Sequence, residues 1–184
     1  MNALPFRLAA LALWLGLLAV SFGTAPPAAP DTGEVVVKMM TGRLDGVNLS
    51  LFALFNLMGV WPVAMAVALR FDRPWWKWPF IAGSFALGAF VLLPYLVVRP
   101  YGAPREEPVS RLGRLLGHRL LWAALVLAAA GLVALFVLGD LETFAALWRT
   151  QQFPYVMSFD FVAMALARGL IAVDARRLKG RSQR

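Results

Sequence analysis

Apolar residues gather in five stretches, at residues 8–24, 47–69, 78–98, 120–138 and 153–173, with the charged residues between them. A helix of about 20 apolar residues crosses a hydrocarbon core of about 30 Å. The first stretch, about 17 residues, is short but adequate by that measure. The pattern predicts an all-α fold: a polytopic integral membrane helix bundle of about five transmembrane helices, or four if the first segment is removed. One membrane domain accounts for the 184 residues.

The first stretch also reads as a secretory signal peptide, with Arg7 as a weak positive start. Pro26 and Pro27 stand where cleavage would fall, which favours an uncleaved span. Residues 31–46 are too short and too charged to cross, and a loop is expected there ahead of a surface helix. Between the second and third spans, Trp75, Trp76 and Trp78 belong at the lipid interface, with Arg70, Arg73 and Lys77 facing phosphates. In the second span, Pro62 frees the carbonyl of Met58 and predicts a kink, while Asn48 and Asn56 are expected to bond a neighbouring helix. The third span pairs Ser84 with Gly88, and Ala82 with Ala86, at the spacing that lets helices approach closely. That helix is expected to be the packing spine.

The basic loop 99–119 is expected to form a surface helix over 110–119, with His118 as an interfacial polar residue rather than a ligand. Residues 139–149 read as an interfacial helix starting at Gly139 or Asp140. The fifth span breaks the apolar rule with Asp160 and Arg168. Arg168 can snorkel to its interface. Asp160 is too short for that, and needs a donor such as Asn56, a polar cavity or a proton. Asp160, Arg168 and Asn56 are therefore the candidate intramembrane polar site. The basic tail, 174–184, is expected to lack order beyond Leu178.

Composition strengthens the membrane reading. Hydrophobic residues make up 60% of the chain and charged residues 15%, against about 25% charged in soluble domains. The formal charge of +8 comes from residues flanking apolar runs, which is an orientation signal and not a nucleic-acid surface. The chain has no cysteine and one histidine. Disulfides, thiolate metal sites, cysteine nucleophiles and bis-histidine haem are excluded. With five crossings, loops one and three share a side with the tail and carry most of the basic residues. The positive-inside rule then predicts the N-terminus out and the C-terminus cytoplasmic.

The segments Leu51-Phe-Ala-Leu-Phe-Asn-Leu-Met-Gly-Val-Trp-Pro, Pro79-Phe-Ile-Ala-Gly-Ser-Phe-Ala-Leu-Gly-Ala-Phe-Val-Leu-Leu-Pro-Tyr and Tyr155-Val-Met-Ser-Phe-Asp-Phe resemble an uncharacterised family of small multi-pass membrane proteins of cyanobacteria and plastids. A fainter similarity is to plastid membrane proteins required for neoxanthin formation. The resemblance implies a phototroph membrane, thylakoid or plasma, and assigns no residue a role.

Three functions are compared. The first, and favoured, is a non-catalytic accessory or assembly factor that packs through small-residue helix faces against a larger membrane complex, such as a photosynthetic one. The second is a small transporter or channel subunit using Asp160, Arg168 and Asn56. The third, an enzyme acting on a lipid or isoprenoid, lacks any paired-carboxylate, nucleophile-elbow or phosphate-loop motif. The partners expected are the bilayer and a membrane protein or further copies of this chain. Any cofactor is unassigned, since a pigment held by packing alone leaves no motif.

Overall fold

The computed structural model describes residues 3–72, 74–101 and 111–182, with side chains except at 111–113 and 178–182. Among the described residues there are nine helices and no strand: α1 (Leu4–Gly23), α2 (Thr32–Thr41), α3 (Leu49–Leu69), α4 (Lys77–Leu87), α5 (Ala89–Val98), α6 (Arg111–Leu116), α7 (Arg119–Leu138), α8 (Leu141–Thr150) and α9 (Gln152–Ser182). Four of them, α1, α3, α7 and α9, are long and apolar enough to cross a membrane.

Local chemistry sets the helix starts. Asn48 Oδ1 accepts the Leu51 N–H at 2.9 Å and opens α3, and Asp140 Oδ1 accepts the Thr143 N–H at 2.9 Å and opens α8. Each satisfies a donor that the first turn leaves without a partner. The expected loop over 31–46 is instead largely the helix α2. Glu34 and Lys38 pair across one turn at 3.0 Å, Met39 is buried, and Val35 and Val36 pack beneath. The apolar side has a surface to cover, and that holds the helix.

The largest departure is the third apolar stretch, which is two helices and not one span. Trp76 and Tyr95 would lie about 28 Å apart along one helix at 1.5 Å per residue, yet their ring centroids are 5.2 Å apart. Phe80 also meets Tyr95, at 5.8 Å, and Gly83 lies against Val91. Helices α4 and α5 therefore fold back on each other as a hairpin with Gly88 at its tip. Gly88 has φ +51°, a conformation that glycine adopts without steric cost. Pro94 removes the N–H that the carbonyl of Phe90 would accept within α5. Trp14 Nε1, from α1, donates to that carbonyl at 3.1 Å.

This hairpin changes the order of the ends. Four through-running helices bring both ends of the chain to the same end of the bundle. There Phe6 stacks on Tyr101 at 5.1 Å and the Arg177 guanidinium lies 4.9 Å from the Phe6 ring; this is the Asp72 end. At the opposite, Asp140 end, Thr24 and Tyr155 hydrogen-bond through their hydroxyls at 3.0 Å, and Asn48 Nδ2 donates to the carbonyl of Asp140 at 2.8 Å. The main core lies between α1, α3, α5 and α9, around Met65, Leu69, Leu92, Leu96, Met164 and Ile171. A smaller one at the Asp140 end joins Met39, Leu51, Leu54 and Met157. Helix α7 packs along α3 and buries none of its residues. Helix α9 continues through Ser182, so the tail expected to lose order is helical there. Residues 102–110 of the basic loop lie outside the described residues.

Candidate functional site

The strongest concentration of polar groups is at the Asp72 end, where the hairpin closes. Arg99, immediately after α5, is 2% exposed. Its Nε and Nη2 donate to Asp72 Oδ2 at 2.6 Å and Oδ1 at 3.0 Å. Its Nη1 donates to Asp174 Oδ2 at 3.1 Å, and Asp174, on α9, is 1% exposed. Tyr95 donates its hydroxyl proton to Asp72 Oδ2 at 2.6 Å. Lys77, also buried, directs its ammonium to the carbonyls of Leu69 at 2.9 Å, Arg70 at 3.2 Å and Asp72. It thereby caps the end of α3, where a cation suits the helix dipole. Two cations and two carboxylates balance, and one guanidinium ties α3's exit, α5 and α9 together. Among the described residues, Asp174 Oδ1 and the Tyr101 hydroxyl are buried without a hydrogen-bond partner. Burial, opposed in part by Arg99, pushes the Tyr101 hydroxyl up to about 12.

A second polar position lies at the hairpin tip. Asp160, on α9, is 6% exposed, and its Oδ1 accepts the N–H of Ala89, the first residue of α5, at 2.7 Å. A side chain at residue 88 would overlap the carboxylate. The tip is thus shaped by a glycine that makes room and a carboxylate that fills it.

The expected trio does not assemble as a hydrogen-bonded group. Asn56 Nδ2 donates to the carbonyl of Phe52 on its own helix at 2.9 Å, the usual outlet for a polar side chain within a helix, so Asn56 is not the donor to Asp160. Arg168 is half-buried on α9, two turns beyond Asp160. Ser84 is buried and donates to the carbonyl of Ile81 at 2.7 Å. Ala82 and Ala86 are exposed, because the break at Gly88 turns the Ser84 side of α4 inward and leaves the alanines outside. Trp76 and Trp78 pack on the main core, and only Trp75, 77% exposed, points away from the protein. His118 is exposed and opens α7 by accepting the Leu120 N–H at 3.2 Å.

Sequence reasoning missed Asp72, Lys77, Tyr95, Arg99 and Asp174 as a unit, since they fall in the connector, the third span, the basic loop and the tail. One signal was available: a glycine within an apolar stretch flanked on both sides by opposite charges, as in a hairpin whose ends pair. Among the described residues no three His, Cys, Asp or Glu side chains cluster as a metal site would require.

The fold and this site define an all-helical protein with four helices fit to cross a membrane and an inserted helical hairpin locked by buried charge. Compared with family models, with curated proteins and with solved structures, the chain matches none of them.

Proposed function

We propose that this chain is a non-catalytic membrane protein that packs against a larger membrane complex and helps to assemble or hold it. In this reading α1, α3, α7 and α9 cross the bilayer, and α4–α5 enters and leaves on one face. Non-helical backbone at membrane depth is tolerated where protein covers it, and α1 and α9 lie against the hairpin. Among the described residues, the segments that meet at the Asp72 end hold eleven of fifteen basic residues: Arg7, two in the connector, four in the segment from Arg99 to Arg119 and four after Asp174. The Asp140 end has Lys38, Arg43 and Arg149. The positive-inside rule then places both termini in the cytoplasm, in place of the opposed termini that five crossings predict. The resemblance to cyanobacterial and plastid proteins is the support for a thylakoid or plasma membrane of a phototroph.

The observation that carries the assembly reading is the outer face of α7. Ala123, Ala124, Ala128, Ala130, Gly131 and Ala134 are exposed, with Leu127 and Leu138 standing out among them, and a Cβ at Gly131 would meet nothing within 4 Å. Small side chains let a second helix come close, which is the main attraction between helices in lipid. Among the described residues, no other part of this chain covers that face. The test is mild-detergent purification of a C-terminally tagged chain from its native membrane, beside Gly131→Leu with Ala134→Leu. The expected result is a stoichiometric membrane partner that the double variant loses while keeping its thermal stability. Isolation of the tagged wild type as a lone monomer would contradict the reading.

One observation favours transport as a second reading. Helix ends that meet at membrane depth, as α4 and α5 do at the hairpin tip beside Asp160, are an arrangement that coupling ions use. Reconstituted vesicles in which flux disappears with Asp160→Ala would support it, and absence of flux in the wild type would remove it.

A further inference from the structure

The break at Gly88 leaves two sets of backbone groups without the partners that a continuous helix supplies: the last carbonyls of α4 and the first N–H groups of α5. One of these, the Ala89 N–H, turns to Asp160 Oδ1 at 2.7 Å. The other carboxylate oxygen, Oδ2, lies against Gly88, the residue that joins the two helices. Asp160 thus sits at the junction with one oxygen engaged by α5 and the second beside the end of α4.

Among the described residues, no side-chain cation is placed to balance a negative charge there. Of the helices packed on α9, α3 has no charged residue between Leu49 and Leu69, and α5 none between Ala89 and Val98. Helix α1 has only Arg7, in its first turn, and α8 has Glu142 and Arg149 on its exposed side. In α4 the one charged residue, Lys77, is committed to the carbonyls at the far end of the hairpin. On α9 itself, Arg168 lies about 12 Å further along the axis. The first turn of α5 offers about half a positive charge. A buried carboxylate with no more than that is strongly disfavoured.

We propose that Asp160 holds a proton and bridges the two half-helices as a neutral carboxyl group. Oδ1 accepts from the Ala89 N–H, and Oδ2, as O–H, donates to a terminal carbonyl of α4. Release of the proton removes the donor and sets a negative oxygen beside those carbonyls, so ionisation loosens the hairpin tip. The inference rests on burial within the bundle and stands apart from the assembly reading.

The test uses the full chain in phosphatidylcholine vesicles treated with a hydrophobic carbodiimide. The reagent takes the proton of a carboxylic acid on nitrogen and bonds its oxygen at the central carbon, giving an O-acylisourea that rearranges by O-to-N acyl transfer to an N-acylurea, which peptide mass spectrometry locates. The expected result is an adduct at Asp160 at neutral pH that diminishes as pH rises. Asp160→Asn retains both an acceptor and a donor, so it should melt within a few degrees of the wild type, while Asp160→Ala melts well below both. Infrared spectroscopy is the second readout, through a protonated-carboxyl band that the Asn variant lacks. Absence of that band from the wild type, or an Asn variant as unstable as the Ala variant, overturns the proposal. Suppression of the adduct by sodium at constant pH would also overturn it, in favour of a bound metal cation.

Discussion

Arg99 ties three segments of the chain together at one end of the bundle. Its planar fork engages Asp72 through two N–H groups and Asp174 through a third, a geometry that a lysine cannot reproduce. Removing one member of a buried ion pair leaves its partner uncompensated, at a cost of about 3–5 kcal/mol. Arg99→Ala is therefore expected to lose about that much stability, with Arg99→Lys recovering only a fraction, as read by thermal unfolding in a mild detergent. Tyr101 supplies a pH dependence. A tyrosine in the unfolded chain titrates near about 10, whereas burial pushes Tyr101 up to about 12. The folded state keeps its proton where the unfolded state has lost it. Stability from this group is complete below pH of about 10 and disappears as pH rises through about 12. Alkaline melts should show that loss in the wild type and a smaller one in Tyr101→Phe. At this scale the sequence was legible where a residue broke a rule. Asp160 stands out because a carboxylate in an apolar stretch is costly. Its partner was not legible, because the donor is a main-chain N–H that exists only once the helix breaks. Asp72, Arg99 and Asp174 each look ordinary near a helix end, and 27 and 75 residues separate the pairs that meet.

Among the elements, α1, α3, α7 and α9 were readable because a long apolar run has no other stable form in lipid. The α4–α5 hairpin was not readable from hydropathy, because a folded-back pair and a crossing helix have the same apolar length. The amphipathic α2 ranked below a loop because its apolar side has value only once α3 is beside it. Pro94 marks a more local device. It takes a donor out of α5, and Trp14 from α1 supplies the replacement to the Phe90 carbonyl. Trp14→Phe keeps an aromatic ring and removes that bond, so it should cost about 1 kcal/mol. In a Pro94→Ala background, where the N–H returns, the same change should cost less. A double-mutant cycle by thermal unfolding reads the difference, and equal costs in both backgrounds would show that the tryptophan acts by packing alone.

For the whole molecule, the hairpin decides the topology. A crossing third segment would put the two termini on opposite faces, while a hairpin that returns to its own face puts them on the same one. The contacts of Phe6 with Tyr101 and Arg177 and the gathering of basic residues at the Asp72 end both follow from the second arrangement. Because the chain has no cysteine, single cysteines can be introduced without a background. The decisive measurement is the labelling of Ala3→Cys, Asp45→Cys, Thr143→Cys and Ser182→Cys by a membrane-impermeant maleimide, from outside intact cells and after permeabilisation. The expected result is labelling of positions 45 and 143 from outside, and of positions 3 and 182 only after permeabilisation. Labelling of position 3 and position 182 from opposite faces would contradict the hairpin and, with it, the account of what the buried charges hold together.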